Sequence, residues 1–245
     1  GALYVAGDTA GALDGQVGNG GSDAFLAKYL PDGTRLWTRL LGTGSSDAAF
    51  AVTTGRDGSI LIAGQTYGSP QGQANRGGFD AFLAQYRPDG VQAWLRLIGT
   101  EGDDQALAVA TGTDGAVYVG STDGVFHAFN ADGSRRWPAI KLDASQDTSA
   151  AALGPDGTLY FGAGATAAGN DAKLFAYDSR SGTKKWEIVV GTGFSANNAV
   201  AIGEDGTVYL HHEASTPSAS RLYAYTDNGT SASLKWSVTG MLELL

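Results

Sequence analysis

The stretch Gly77–Trp94 reads GGFDAFLAQYRPDGVQAW, which joins an apolar segment, an Asp-Gly turn and a second segment that ends in tryptophan. The same pattern occurs 57 residues earlier as GGSDAFLAKYLPDGTRLW, in Gly20–Trp37. Asp-Gly supplies the positive φ that a tight hairpin turn requires, so each copy predicts two antiparallel strands. The stretch therefore predicts one hairpin of a repeated, all-β structure.

Tryptophan marks every copy of this pattern. The chain contains five tryptophans, at Trp37, Trp94, Trp137, Trp186 and Trp236, separated by 57, 43, 49 and 50 residues. A period of roughly 40–50 residues with turn-separated strands is typical of a β-propeller or a similar array. Together with the Asp-Gly frame, the period divides the chain into repeat units 1–57, 58–114, 115–156, 157–205 and 206–245.

Many of the predicted strands are apolar on both faces, for example Leu174–Tyr177 and Ala199–Ile202. Blades packed between two neighbours bury both faces, whereas a solvated sandwich shows cleaner alternation. We therefore expect a single all-β domain, a five-bladed β-propeller of four-stranded antiparallel blades. The Ala-rich segments Ala49–Val52 and Ala150–Leu153 are expected to be innermost strands. The tryptophan segments, including Ser134–Trp137, are expected to be outermost strands.

One strand is missing from this count. The inner strand of each blade lies in the 19 or 20 residues between one tryptophan and the next unit, but no residues precede unit 1 and nine follow Trp236. Either Met241–Leu245 closes the ring in a shortened way, or the chain is cut from a longer one. We expect closure by Met241–Leu245, and with closure a monomer.

Composition excludes several functional classes. The formal net charge is −9, and the chain has no cysteine and no apolar run of the length that spans a membrane. A nucleic-acid partner is not expected, because no basic stripe is present to neutralise phosphates. Disulfides and cysteine-based zinc sites are ruled out. Because Gly1 already lies in a strand pattern, we interpret the chain as a mature or excised segment.

Two families of repeats resemble this sequence. The segments Gly20–Trp37 and Gly77–Trp94 resemble the bacterial β-propeller repeat known as SBBP, which is found in secreted and cell-surface proteins. In units 3–5, the segment AYDSRSGTKKW (Ala176–Trp186) resembles the tryptophan-docking motif of quinoprotein-like (PQQ-like) propellers, although Ser181 stands where that motif usually has threonine. The resemblance implies that all five tryptophans tie neighbouring blades together. It also implies an exported bacterial protein, located outside the cell, on its surface or in the periplasm.

Quinoprotein-type catalysis is not expected. In the dehydrogenases that the repeats resemble, an Asp base acts beside a calcium-bound quinone in an eight-bladed ring, often against a vicinal disulfide. This chain has five units and no cysteine.

Acidic residues open the predicted inner strands of three units. Asp47, Asp104 and Asp147 occupy the same position in the repeat, so a propeller would gather them around one mouth of its channel. Carboxylate oxygens suit hard cations, and Ca²⁺ is the cofactor considered there. The alternative, which we favour, is that each of these residues caps its loop by bonding backbone N–H groups. Asp23 and Asp80 are expected to order the loops that lead into the next strands.

The longest loops offer the clearest ligand-binding candidates. Thr9–Gly21 and Thr66–Gly78 are long and polar, and loops on a rigid scaffold commonly carry function. The second loop presents hydrogen-bonding groups and an aromatic face to a sugar or peptide, from Tyr67, Gln73, Asn75 and Arg76. The alternative is that these loops are hydrophilic and bind nothing.

The three histidines do not predict a site. His127 is expected to pack between blades, and the adjacent His211 and His212 point to opposite faces of a strand. We predict a non-catalytic binding or scaffold propeller that contacts protein or glycan through one loop face. Two alternatives remain open: an enzyme of hydrolase or quinoprotein type with its site at the channel mouth, and a purely structural or designed repeat protein.

Overall fold

The computed structural model describes residues 1–142, 146–165, 171–192, 200–212 and 220–239. Regular structure in these residues consists of β-strands and a short 3-10 helix, Pro70–Gly72. The strands are β1 (Leu3–Thr9), β2 (Asp23–Tyr29), β3 (Arg35–Leu41), β4 (Asp47–Thr54), β5 (Ile60–Thr66), β6 (Asp80–Tyr86), β7 (Gln92–Ile98), β8 (Ala106–Thr111), β9 (Val117–Ser121), β10 (Val125–Phe129), β11 (Ile140–Lys141), β12 (Gln146–Thr148), β13 (Ala152–Leu153), β14 (Thr158–Ala165), β15 (Asp171–Asp178), β16 (Lys184–Thr192), β17 (Val200–Ile202), β18 (Val208–His212), β19 (Arg221–Asp227) and β20 (Ala232–Thr239). In the described part of the chain, no helix is long and apolar enough to cross a membrane.

The strands form five sheets in the described part of the chain, named sheets 1 to 5 in chain order. Their strand orders are β1-β2-β3, β4-β5-β6-β7, β11-β10-β9-β8, β12-β14-β15-β16 and β17-β18-β19-β20, and β13 also pairs with β14. The all-β class and the count of five are as predicted. Sheet 1 has three strands in the described residues, which matches the missing inner strand of the first unit. Met241–Leu245, the segment expected to close the ring, lies outside the described residues.

The contacts divide the chain into two compact units. The first unit comprises Gly1–Val117 with Asn130–Ser134, and the second comprises Tyr118–Phe129 with Arg135–Leu245. Sheets 1 and 2 and strand β8 belong to the first unit. Strands β10 and β11 and sheets 4 and 5 belong to the second.

One predicted strand is wrong. Ser134–Trp137 was expected to be an outer strand, but only Arg135 bridges to Phe129, and Trp137 lies in a bend. The outer strand of this sheet is instead the two-residue β11, which pairs with Val125 and Phe126. Pro138 accounts for the interruption, because proline has no N–H to donate and restricts the backbone of the residue before it.

Both units bury apolar side chains on two faces of their sheets. In the first unit every residue of β6 is buried, and Ile62, Phe82 and Leu95 belong to one cluster against which Trp37 packs. In the second unit, the rings of Phe126 and Phe161 stack with centroids 4.1 Å apart. A second cluster there contains Tyr160, Leu174, Trp186, Leu210 and Tyr225. The pattern that is apolar on both faces, noted in the sequence, thus corresponds to sheets covered from two sides.

Tryptophan contacts join neighbouring sheets in the first unit. The indole N–H of Trp37 donates to the Pro88 carbonyl at 3.3 Å, and that of Trp94 donates to the Ala131 carbonyl at 3.0 Å. Two residues after each tryptophan, an arginine lies over the indole ring at 5.4 Å (Arg39) or 5.7 Å (Arg96) from its centroid. Each arginine also donates to the glycine carbonyl of the same turn. Indole, guanidinium and turn therefore form one packed group that occurs twice.

The glycines of these turns allow the close approach. Gly90 has φ of +81° and Gly133 has φ of +77°, a conformation that side chains rarely adopt. A Cβ at Gly90 would lie 3.0 Å from Trp37 Cδ2, and a Cβ at Gly133 would lie 2.8 Å from Trp94 Cδ2. Both glycines are buried. Glycine is thus required here twice, for the turn and for the indole that covers it.

The second unit repeats the contact with different acceptors. The indole N–H of Trp137 donates to the Ser179 carbonyl at 3.3 Å, and a Cβ at Gly182 would lie 2.8 Å from its ring. The indole N–H of Trp186 donates to Asp227 Oδ1 at 2.9 Å. Trp137 and Trp186 are each 5% exposed, whereas Trp236 on β20 is 43% exposed. No acceptor for the indole of Trp236 occurs among the described residues.

Comparing two glycine substitutions isolates the cost of disturbing one tryptophan contact. Gly33→Ala places a side chain at φ +85° with nothing within 4 Å of its Cβ, and we expect it to lower the free energy of unfolding by about 1 kcal/mol. Gly133→Ala adds the clash with Trp94, and we expect a loss of about 2–4 kcal/mol. Urea unfolding of the two variants measures the difference. Equal losses would contradict the role given to the indole contact.

Candidate functional site

The loop Thr66–Gly78 in the first unit is a well-connected structure. The Tyr67 N–H donates to the Ser46 carbonyl at 2.9 Å, and the Arg76 N–H donates to Asp80 Oδ2 at 3.0 Å. Between them lies the short 3-10 helix, in which Pro70 is buried and Gln71 has a positive φ of 53°. These bonds fix the backbone at both ends of the loop.

Gln73 uses its side-chain amide inside the protein. Its Nε2 donates to the Leu95 carbonyl at 3.0 Å, and its Oε1 accepts from the Leu97 N–H at 3.1 Å. The amide thus takes the place that a further strand would have beside β7. In the first loop, Gln16 does the same for β3 with the Thr38 carbonyl and the Leu40 N–H. Unpaired strand edges invite association, and these glutamines cover part of two edges.

Asn75 also stabilises the loop. Its Nδ2 donates to the Thr66 and Gly78 carbonyls at 3.3 and 3.0 Å, and its Oδ1 accepts from the Gly77 N–H at 2.9 Å. Of the four candidates predicted for this loop, Gln73 and Asn75 therefore use their polar groups to hold its shape. The remaining two, Tyr67 and Arg76, face solvent.

Tyr67 and Arg76 form the exposed part of the loop. The Tyr67 side chain is 55% exposed. Its ring packs edge-to-face against the ring of Phe79, with centroids 5.2 Å apart and an interplanar angle of 72°. The Arg76 side chain is exposed. Burial raises the pKa of the nearby Asp80 carboxyl, and the backbone N–H and positive charge of Arg76 oppose that rise. An aromatic ring and a guanidinium on a rigid loop are groups that recognise peptides through stacking and carboxylate pairing.

The acids considered for calcium bond to their own loops. Asp47 Oδ2 accepts from the Thr43 N–H at 2.7 Å, and Asp104 Oδ2 accepts from the Thr100 N–H at 2.6 Å. Both are buried, and these are the bonds that loop capping requires. The side chain of Asp147 lies outside the described residues. Calcium binding stays a prediction, which a thermal titration with Ca²⁺ would test.

Asp23 and Asp80 each order the loop before their strand. Asp23 Oδ2 accepts from the Asn19 N–H at 2.8 Å, as Asp80 does from Arg76. Both carboxyls are almost fully buried, and Cβ atoms at Gly42 and Gly99 would collide with them. Glycine in these two places makes room for a buried carboxyl at the start of a strand.

The histidines lie in strands of the second unit. His127 on β10 is buried, and its ring is 6.3 Å from that of Phe129. Burial and the neighbouring Arg135 charge lower the pKa of His127 to about 4. Burial, His211 and Arg221 also lower the pKa of His212. Both imidazoles are therefore neutral near pH 7, and the catalytic alternative stays a prediction.

Two lysines that the sequence did not single out make matching contacts in the second unit. Lys235 Nζ bonds Thr207 Oγ1 at 2.7 Å and Asp205 at 3.3 Å, and Lys185 makes the same pair of contacts with Thr158 and Asp156. Lys235 lines a groove of about 240 Å³, together with residues that include Asp156, Tyr160, Asp205 and Asp227. Hydrogen bonds from Thr207 lower the pKa of Asp205 to about 2. A lysine directly before tryptophan, opposite an Asp-Gly-Thr turn, is the sequence signal for this pairing.

These features define a class of protein. Antiparallel sheets of about four strands, joined by edge tryptophans that bond to hairpin turns, are characteristic of propeller-type repeat proteins. The family model described as "Outer membrane protein assembly factor BamB" matches residues 22–239. The chain therefore belongs to this family of PQQ-like repeats, as predicted for units 3–5. The relation of units 1 and 2 to SBBP repeats stays a prediction.

A curated relative and several solved structures are also similar. Regulatory protein FlaEY of Caulobacter vibrioides is 30% identical over 134 residues, which are 49% of this chain and 14% of that protein. The chain thus spans a small part of that relative's length. A chain in the crystal structure of a mitotic checkpoint complex has the same fold, with a TM-score of 0.64 at 10% identity. The match covers 89% of this chain and 60% of that chain. The Myceliophthora thermophila Cps50 (Swd1) β-propeller domain also has this fold, with a TM-score of 0.58 at 10% identity. The match covers 89% of this chain and 68% of that chain.

A quinohemoprotein alcohol dehydrogenase, ADHIIG from Pseudomonas putida HK5, also shares the fold. Its TM-score is 0.52 at 15% identity, over 75% of this chain and 33% of that one. At this identity the likeness concerns the fold alone.

The buried His127 gives the protein a measurable acid sensitivity. Its folded pKa of about 4 lies below the ordinary 6.5, so only the unfolded chain takes up a proton between these values. The contribution to stability is complete above pH 6.5 and declines as the pH falls towards 4. We expect wild type to lose about 2 kcal/mol more than His127→Leu between pH 7 and pH 4.5, measured by urea unfolding. Equal losses in the two proteins would show that His127 protonates as readily when folded.

Proposed function

We propose that this protein is a non-catalytic binding propeller that contacts a protein partner through the Thr66–Gly78 loop. The observation that carries the proposal is that some polar side chains of this loop bond within the protein while others are exposed. Gln73 and Asn75 hold its shape from within, while the Tyr67 ring and the Arg76 guanidinium are left in solvent. A loop that needs no reorganisation on binding keeps the entropic cost of association low.

The chemistry of the two exposed side chains indicates the partner. Tyrosine and arginine are enriched among the residues that dominate protein interfaces. Arg76 fits a carboxylate, and the Tyr67 ring fits an adjacent apolar or aromatic side chain. A peptide segment that places an acidic residue beside an apolar one satisfies both. That one structure with this fold comes from a multiprotein checkpoint complex fits a protein partner better than a glycan.

The first repeat supplies a natural control. At the offset of 57 residues, Ala10 and Asn19 stand where the second loop has Tyr67 and Arg76, while Gln16 repeats Gln73. The two loops share the edge-covering glutamine and differ in the exposed pair. The first loop is therefore a scaffold without the proposed recognition groups.

Peptides selected from a display library on the immobilised protein test the proposal. The double variant Tyr67→Ala with Arg76→Asn gives the second loop the residues of the first. We expect selected peptides to bind it roughly tenfold or more weakly than wild type, because two interface anchors are lost. The control Asn19→Ala should bind as wild type does. Peptides that bind all three proteins equally, or ligands found only in a parallel glycan panel, would contradict a protein-binding loop.

We also propose an exported location, supported by the family's description as an outer membrane protein assembly factor. Recovery of the protein from the cytoplasm of a bacterium that produces it would contradict this location.

A further inference from the structure

The outer face of sheet 5 carries apolar side chains that no described residue covers. On β20 the side chains of Trp236 and Val238 lie on one face, opposite Ala224 and Leu222 of β19, and they are 43% and 51% exposed. Exposed apolar side chains that form a continuous stripe mark interaction sites more often than scattered ones do. The corresponding tryptophans of sheets 2 and 4, Trp94 and Trp186, are buried.

Trp236 is already held in the docking orientation. Its ring lies 5.9 Å from that of Tyr209 at an interplanar angle of 49°. The pairs Tyr160–Trp186 and Tyr4–Trp37 have the same angle of 49°, at 5.9 and 6.2 Å. In both of those pairs the indole N–H donates to the next sheet. Trp236 thus has the support of a docking tryptophan without an acceptor in the described part of the chain.

The tryptophans that are docked within the two units indicate what kind of structure packs on such a surface. Trp37, Trp94 and Trp137 each cover a glycine of positive φ, and each donates to a carbonyl that lies two or three residues before that glycine. In these three contacts the partner of the docking indole is a hairpin turn that offers a backbone carbonyl and a glycine of positive φ, whereas Trp186 donates to the Asp227 carboxylate. Docking of an indole is stabilised both by the burial of its ring and by the hydrogen bond of its N–H.

Sheet 1 carries such a turn, and nothing covers it in the first unit. Pro31 and Gly33 correspond to Pro88 and Gly90, the turn that accepts Trp37. Gly33 has φ of +85°, is exposed, and has nothing within 4 Å of a Cβ position. On β1 of the same sheet, Leu3 and Val5 are also exposed. Among the described residues, the Trp236 face of sheet 5 and the Pro31–Gly33 turn of sheet 1 are thus both exposed.

We propose that Trp236 docks on the Pro31–Gly33 turn of a second copy of this chain. The contact continues the series formed by Trp37, Trp94, Trp137 and Trp186, with the exposed faces of sheet 5 and sheet 1 packed together. Because the two surfaces differ, the association is heterologous: it runs head to tail and forms either a closed ring or a chain of copies. This self-association is independent of the peptide-binding loop.

Two variants of the intact chain remove opposite halves of the contact. Trp236→Ala removes the indole. Gly33→Asn fills the space above the turn, and asparagine tolerates positive φ, so the fold is retained. The controls are Val17→Ala, an exposed apolar residue, and Gly15→Asn, a glycine with φ of +80° and nothing within 4 Å. Circular dichroism verifies that all four variants fold.

Sedimentation velocity over a wide range of protein concentration supplies the readout. We expect wild type and both controls to associate as concentration rises, and each test variant to associate roughly tenfold or more weakly. Mixing the two test variants restores one intact contact, so a heterodimer forms between the Trp236 face of Gly33→Asn and the turn of Trp236→Ala. A monomer at every concentration would overturn the proposal, and so would association that neither variant weakens or a mixture that forms no heterodimer.

Discussion

An indole laid on a hairpin turn is the interaction on which the arrangement of sheets within each unit depends. Adjacent sheets in the first unit share a few backbone bonds, such as the one from the Asp47 N–H to the Ser22 carbonyl, and the indole adds both apolar area and a directed hydrogen bond. Trp94 does this with its ring over Gly133 and its N–H on the Ala131 carbonyl at 3.0 Å. Losing a buried tryptophan typically costs about 3–5 kcal/mol, a large part of the stability of a domain.

The same interaction explains why loops and edges are available for other purposes. Once tryptophan and turn fix neighbouring sheets, the outer edge of β7 is covered by Gln73 from its own loop. Gln73 and Asn75 give that loop its shape, and Tyr67 and Arg76 lie on it exposed to solvent. In the function we propose, binding and stability therefore rest on different residues of one repeat.

The sequence predicted the fold through the Asp-Gly turns, which are a short-range signal, and through the repetition of the tryptophan pattern along the chain. Turn chemistry and hydrophobic pattern are local, so they survive without knowledge of tertiary contacts. The prediction is wrong at Ser134–Trp137, because Pro138 interrupts the outer strand directly after Trp137. The polarity of Gln73 indicates a ligand-binding residue from local sequence alone, whereas its bonds to Leu95 and Leu97 span more than twenty residues. Its repetition at Gln16 was the available clue.

Hydrogen exchange at the five indole N–H groups, followed by nitrogen-15 NMR, tests the docking interaction most directly. In dilute solution we expect the indoles of Trp37, Trp94, Trp137 and Trp186 to exchange slowly, because each is bonded to a neighbouring sheet. The indole of Trp236 should exchange fast, and should become protected as the concentration rises. Five indoles that exchange at one fast rate would contradict the account.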